Sequence, residues 1–127
     1  MKRAALLFLL AAACAQAAEP VADSSMLAEG KRAYQKCYSC HSLEGPDPST
    51  QGPSLKGVIG REVAAEAGFP YSPAMRGYGA KERRWSREAL DAFIADPQAV
   101  VPGNEMGFFG IADAQERRTL IAYLAAN

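Results

Sequence analysis

The sequence predicts an all-α fold: three main helices, with shorter helices and long loops between them. Three observations carry that reading. Apolar residues recur at spacings of three and four in an early, a middle and a late segment, which is the period of a buried helix face. The stretches between them are rich in Gly and Pro and follow no such period. Nothing before Cys37 has the alternation of a strand. A chain of 127 residues allows one domain.

Residues 1–17 are set apart as a secretory signal peptide. Lys2 and Arg3 make a positive start, Ala4 to Ala13 is apolar, and Ala15-Gln16-Ala17 fits a small-x-small cleavage site. The apolar run is too short to span a bilayer. Cys14 invites a lipoprotein reading, but Ala11 stands where a Leu is usual three residues before such a cysteine. Cleavage after Ala17 leaves twelve basic against fourteen acidic residues, a net charge of −2. That balance excludes charge-driven binding of nucleic acid.

Residues 18–26 read as a tether and 27–127 as the folded domain. The first helix starts near Ser24 or Ser25, either of which can cap it. Leu27, Gly30, Tyr34, Cys37 and His41 share one face, with Lys31, Arg32, Gln35 and Lys36 on the wet side. Gly30 costs a helix roughly 1 kcal/mol against Ala. Its missing side chain points to a close helix crossing.

That face ends in Cys37-Tyr38-Ser39-Cys40-His41, a C-x-x-C-H motif. Two thiols at this spacing can add to the two vinyl groups of a haem, and the following imidazole then faces the iron. On a helical turn the three side chains project to nearly the same side. The competing readings are weaker. A thioredoxin-like site needs a preceding strand, a zinc site needs four ligands, and a disulfide across two residues closes a strained loop. The chain has one histidine, and its third cysteine, Cys14, leaves with the signal peptide. A covalent haem on an exported chain implies a periplasmic location of Gram-negative type.

Residues 42–60 form a long loop punctuated by Gly45, Pro46, Pro48, Gly52 and Pro53, then Gly57 and Gly60. Such a loop is ordered only when something packs inside it, a role that falls to Leu55, Val58 and Ile59. Glu62 to Ala67 reads as a short helical turn. Ser72-Pro73 opens a short helix that Gly77 or Gly79 ends. Ser86 caps the next helix, with Glu88 in its first turn, Leu90, Phe93 and Ile94 as its buried stripe, and Pro97 as its stop. Val100 to Ile111 is a second long loop. Asp113-x-x-Glu116 resembles a capping box, and Leu120, Ile121, Tyr123 and Leu124 are the apolar part of the final helix.

The second axial position of the iron needs another donor. The mature chain offers Met26, Met75 and Met106. Met106 fits best. Pro102-Gly103-Asn104 bends the chain before it, and Gly107-Phe108-Phe109 follows with aromatics that exclude water. A thioether suits ferrous iron and raises the potential.

From about Gly30 to Leu124 the chain resembles class I cytochrome c, of the mitochondrial type and its soluble bacterial relatives. Four stretches carry the resemblance in order: Cys37 to His41, Gly52-Pro53-Ser54-Leu55-Lys56-Gly57, Pro102-Gly103-Asn104-Glu105-Met106, and Leu120-Ile121-Ala122-Tyr123-Leu124. The resemblance implies a cytochrome c fold wrapped around one covalent haem c, held through Cys37 and Cys40 and ligated by His41 and Met106. It implies that the Pro53 carbonyl orients the His41 ring. Arg61, Tyr71 and Trp85 match residues that hydrogen-bond or neutralise a buried propionate, and Asn104 matches a position with similar work. Gly30 and Tyr34 against Tyr123 match the crossing of first and last helices.

Three positions depart from the family. Phe93 stands where a Tyr hydroxyl commonly reaches the axial sulfur. Glu105 replaces a Lys beside the ligand, and Met75 replaces a polar residue. Only Lys31, Lys36, Lys56 and Lys81 remain of a lysine-rich docking ring. The function that follows is a monomeric one-electron carrier, not an enzyme, which meets a dehydrogenase or cytochrome complex as donor and an oxidase or reductase as acceptor. Two other readings stand beside it. One is a ligand-sensing or weakly peroxidatic haem protein with a labile sixth ligand. The other is an electron-accepting subunit bound to a dehydrogenase.

Overall fold

The computed structural model describes residues 22–127. The proposed signal peptide, Cys14 and the start of the tether lie outside the described residues. The described residues form five helices and no strand beyond one isolated bridge, Glu62 to Arg84.

Helix α1 spans Ser24–Tyr34. Its cap is Asp23, whose carboxylate accepts the Met26 N–H at 2.8 Å. Ser24 and Ser25 therefore belong to the helix, and the tether ends before them. Lys31 and Arg32 complement the dipole at the far end. At the other end of the described chain, α5 spans Ala114–Ala125 and is capped by Asp113 through the Glu116 N–H at 2.7 Å.

These two helices cross, and Gly30 is the contact point. A Cβ on Gly30 would stand 2.1 Å from the Thr119 carbonyl oxygen and 2.5 Å from Tyr123 Cβ. The backbones meet because that atom is absent. Tyr34 and Tyr123 pack beside the crossing with ring centroids 5.8 Å apart. Lys36 pairs with Glu116 at 2.5 Å on the rim. Leu120, Ile121 and Leu124 are buried as their spacing required, and Thr119 joins them by returning its hydroxyl to the Glu116 carbonyl.

Helix α2, Pro73–Glu82, starts at Ser72 as the sequence indicates but runs past both Gly77 and Gly79. Gly79 is used for packing: a Cβ there would lie 3.0 Å from the Val63 carbonyl. The helix stops at Arg83, whose φ is +66°. Helix α3, Arg87–Ala95, is capped by Ser86 and buries Ala89, Leu90, Phe93 and Ile94. Pro97 stops α3 and also opens a short α4, Pro97–Val100, capped by Asp96. Residues 62–67 make no helical turn; Ala64 has φ +57° and Glu62 bridges to Arg84 instead. Arg117 on α5 ties down α3 through Asp91 at 2.8 Å and also caps the carbonyls of Ile111 and Ala112.

The long loops are ordered from within. Val58, Val101 and Ile111 are buried in the same core as the helices, and Leu55 and Ile59 pack against it.

Candidate functional site

The helical path of α1 continues as turns into the cysteine motif. Cys37 N–H donates to the Tyr34 carbonyl, and Cys40 and His41 N–H both donate to the Cys37 carbonyl. This winding makes Cys37, Cys40 and His41 half-buried while Tyr38 and Ser39 point to solvent. Cys37 and Cys40 form no disulfide. Burial pushes the Cys37 thiol up to about 11, with Lys36 pulling the other way. A neutral sulfur suits that position, and a thioether is neutral at every pH.

His41 is held on three sides. Its Nδ1 donates to the Pro53 carbonyl at 2.7 Å. Its own carbonyl accepts the Tyr34 hydroxyl at 2.6 Å. Gly52 lies against the ring so closely that a Cβ there would be 2.4 Å from Cε1 and 2.6 Å from Nδ1. Burial holds the imidazole below its ordinary value, opposed by the Pro53 bond and Glu66 and assisted by Arg61. The ring is therefore neutral near pH 7. With the proton on Nδ1, Nε2 keeps its lone pair for a metal. Among the described residues no group of three or more His, Cys, Asp or Glu forms a metal cage. Two thiols and one oriented imidazole fit a covalent haem, and Leu43, Leu55, Ile59, Met75 and Phe108 are half-buried against the core that Cys37 also joins.

The structure gathers Arg61, Tyr71 and Trp85 around the loop that carries Pro53. Arg61 donates to the Ser54 carbonyl at 2.5 Å and to the Lys56 carbonyl at 3.2 Å. Its own carbonyl accepts the Trp85 N–H, and the Trp85 carbonyl accepts the Gly60 N–H. The Trp85 ring is buried between Tyr78 and Phe93, at 5.7 and 5.2 Å. Tyr71 accepts the Glu66 N–H at 3.2 Å, which leaves its hydroxyl proton to donate. Burial raises its ionisation above the ordinary tyrosine value.

Asn104 belongs to a different cluster. Its amide donates to the carbonyls of Pro97 and Val101, both at 2.9 Å, and its oxygen accepts the Met106 N–H at 2.9 Å. Every polar atom of this buried side chain is thus engaged with backbone. Asn104 braces the Met106 loop through these bonds. Met106 is half-buried against the core. Beyond it, Gly110 abuts α3: a Cβ there would be 2.2 Å from the Ala95 carbonyl. Phe93 presents only a ring, tilted at 48° against Trp85. Met75 is half-buried, and Glu105 is exposed.

Two participants escaped the sequence reading. Tyr34 counted as packing, although its position two helical turns before His41 was a usable signal. Glu66, whose Oε2 accepts the Ser54 N–H at 2.7 Å, stands in a stretch with no period and gave none.

Comparison with known proteins identifies the family. A family model described as cytochrome c matches residues 27–127. A cytochrome c homolog of Bradyrhizobium diazoefficiens is 40% identical over 116 residues, which are 90% of this chain and 61% of that protein. The chain thus spans about three fifths of that relative's length. The cytochrome c2 of Blastochloris viridis is 37% identical over 118 residues, which are 93% of this chain and 87% of the relative. The solved structure of cytochrome cH from Methylobacterium extorquens superposes with a TM-score of 0.70 at 34% identity, covering 80% of this chain and 98% of that one. The chain belongs to the cytochrome c family, and that membership implies one covalently attached haem c at the Cys37–Cys40 motif.

Proposed function

We propose that this protein is a periplasmic one-electron carrier whose iron is ligated by His41 and Met106. The observation that carries the reading is the His41 ring: Nδ1 is committed to Pro53, so only Nε2 is left to ligate. When bound, the haem supplies a single electron-accepting and electron-donating centre. The chain's own residues do the rest. Cys37 and Cys40 would hold the group, His41 and Met106 would ligate its iron, and Asn104 fixes the Met106 backbone. Arg61, Tyr71 and Trp85 supply a cation and donors for a buried carboxylate. Groups fixed this way move little when charge arrives, which favours fast transfer over bond-making chemistry.

Redox partners are met transiently, as donor and acceptor proteins. Lys31, Lys36, Lys56 and Lys81 are too few for a strongly cationic docking face, so partners less acidic than those of mitochondrial carriers fit it. Export rests on Lys2, Arg3 and the apolar run after them. Among the described residues no helix is long and apolar enough to cross a membrane.

One observation favours a second reading. Phe93 offers no hydroxyl to the axial sulfur, which leaves the Met106 bond unsupported from that side and favours a labile sixth position. One experiment decides between them. The oxidised protein is scanned for the far-red sulfur-to-iron band, and the reduced protein is exposed to carbon monoxide. The band with no carbon monoxide uptake supports the carrier. Rapid uptake by native protein overturns it in favour of a sensor or weak peroxidase.

A further inference from the structure

Two hydrogen bonds described above share a single peptide group. The carbonyl of Pro53 accepts Nδ1–H of His41 at 2.7 Å. The N–H of that same amide, carried by Ser54, donates to Glu66 Oε2 at 2.7 Å. Imidazole, amide and carboxylate form one continuous chain. We propose that Glu66 is a positioning residue that tunes the donor strength of His41 through the Pro53–Ser54 peptide, and so lowers the reduction potential of the protein. The proposal rests on His41 being an iron ligand.

The physics runs through polarisation. An amide whose N–H donates to an anion carries more negative charge on its oxygen, and hydrogen bonds in series reinforce one another. A more negative Pro53 oxygen pulls harder on the Nδ1 proton. Nε2 then becomes a better donor, which favours the oxidised iron. Ser54 is 2% exposed, so water does not compete for its N–H. The Glu66 backbone is held in place by the Tyr71 hydroxyl. Arg61, the cation on this loop, donates to the carbonyls of Ser54 and Lys56 and leaves the Pro53–Ser54 amide to Glu66.

The test uses holoprotein carrying Glu66→Gln and Glu66→Ala. Optical redox titration of both should shift the balance toward the reduced form by about threefold or more, a rise of roughly 28 mV at 59 mV per tenfold. Gln, which keeps an acceptor, shifts less than Ala. In the reduced state the His41 Nδ1–H resonance moves upfield in both, and in the Gln variant, which keeps the bond to the Ser54 N–H, the shift reports the lost charge and not a loosened loop. Glu62→Gln, an exposed acid on the same stretch, leaves midpoint and resonance unmoved. A normal imidazole-ligated spectrum with an unchanged midpoint overturns this proposal alone. A wild-type spectrum without an axial imidazole overturns the ligation and this proposal together. Should neither variant fold, the wild-type Ser54 amide decides: strong protection from hydrogen exchange with a downfield shift supports the chain, and exchange at a free-loop rate overturns it.

Discussion

The hydroxyl of Tyr34 donates to the main-chain carbonyl of His41 at 2.6 Å. It ties the end of α1 to His41, the proposed iron ligand, across the turns that carry both cysteines. Tyr34→Phe keeps the ring against Tyr123 and strands the carbonyl. The expected loss is about 1 kcal/mol of stability in a denaturant titration of holoprotein.

Tyr34, Tyr71 and Tyr78 all ionise above the ordinary value of 10.0, burial being the first cause for each. In the unfolded chain they lose their protons near that value, while in the folded chain they keep them. Their contribution is therefore fully present below pH 10 and lost as the pH rises through the folded values. Stability should fall steadily above pH 10, and Tyr34→Phe should flatten that fall. Unfolding midpoints measured from pH 8 to 11 check both.

Gly30→Ala tests the helix crossing. The added carbon would meet the Thr119 carbonyl at 2.1 Å, a backbone atom that has no rotamer to escape into. Overpacking of this kind costs about 1–3 kcal/mol, more than the ~1 kcal/mol that Ala returns in helix propensity. Lower stability with unchanged helical circular dichroism is the expected result.

Gly52→Ala aims at His41 directly. Its Cβ would push against Cε1 and Nδ1, moving the ring away from the Pro53 carbonyl. The expected outcome is a weakened axial imidazole, seen as a changed low-spin spectrum and a raised midpoint potential. An unaltered spectrum in a folded variant would contradict the packing described above.

Asn104→Ala leaves the Pro97 and Val101 carbonyls and the Met106 N–H without their partner. A buried polar group stranded in this way costs about 1–3 kcal/mol. The loss falls on the loop that carries Met106, so carbon monoxide should enter the reduced variant faster than wild type. Stopped-flow binding measures it.

Much of this was legible in the chain itself. The Cys37 to His41 motif, the Ser72, Ser86 and Asp113 caps and the α3 and α5 stripes are local patterns, in which neighbours a few residues apart decide the outcome. The misreadings have a different origin. Gly79 looks like a helix stop until Val63, sixteen residues earlier in the chain, claims the space of a Cβ, whereas Gly77 meets nothing and is simply carried through the helix. Residues 62–67 looked helical because their pairing partner, Arg84, lies in another segment. Asp23 won the α1 cap from two adjacent serines, a contest that propensity does not resolve. At the site, His41 and Pro53 were within reach of pattern and resemblance. Glu66 was not, since its role depends on which side of one amide a carboxylate arrives from.

The crossing of α1 and α5 has a temporal side. Residues 114–125 are synthesised long after residues 37–41, so the thiols of the motif emerge before the helix that closes over α1 exists. Thioether formation can thus act on an open segment, and the final helix then shuts the door behind it. Trimming α5 should leave attachment intact and spoil only what comes after.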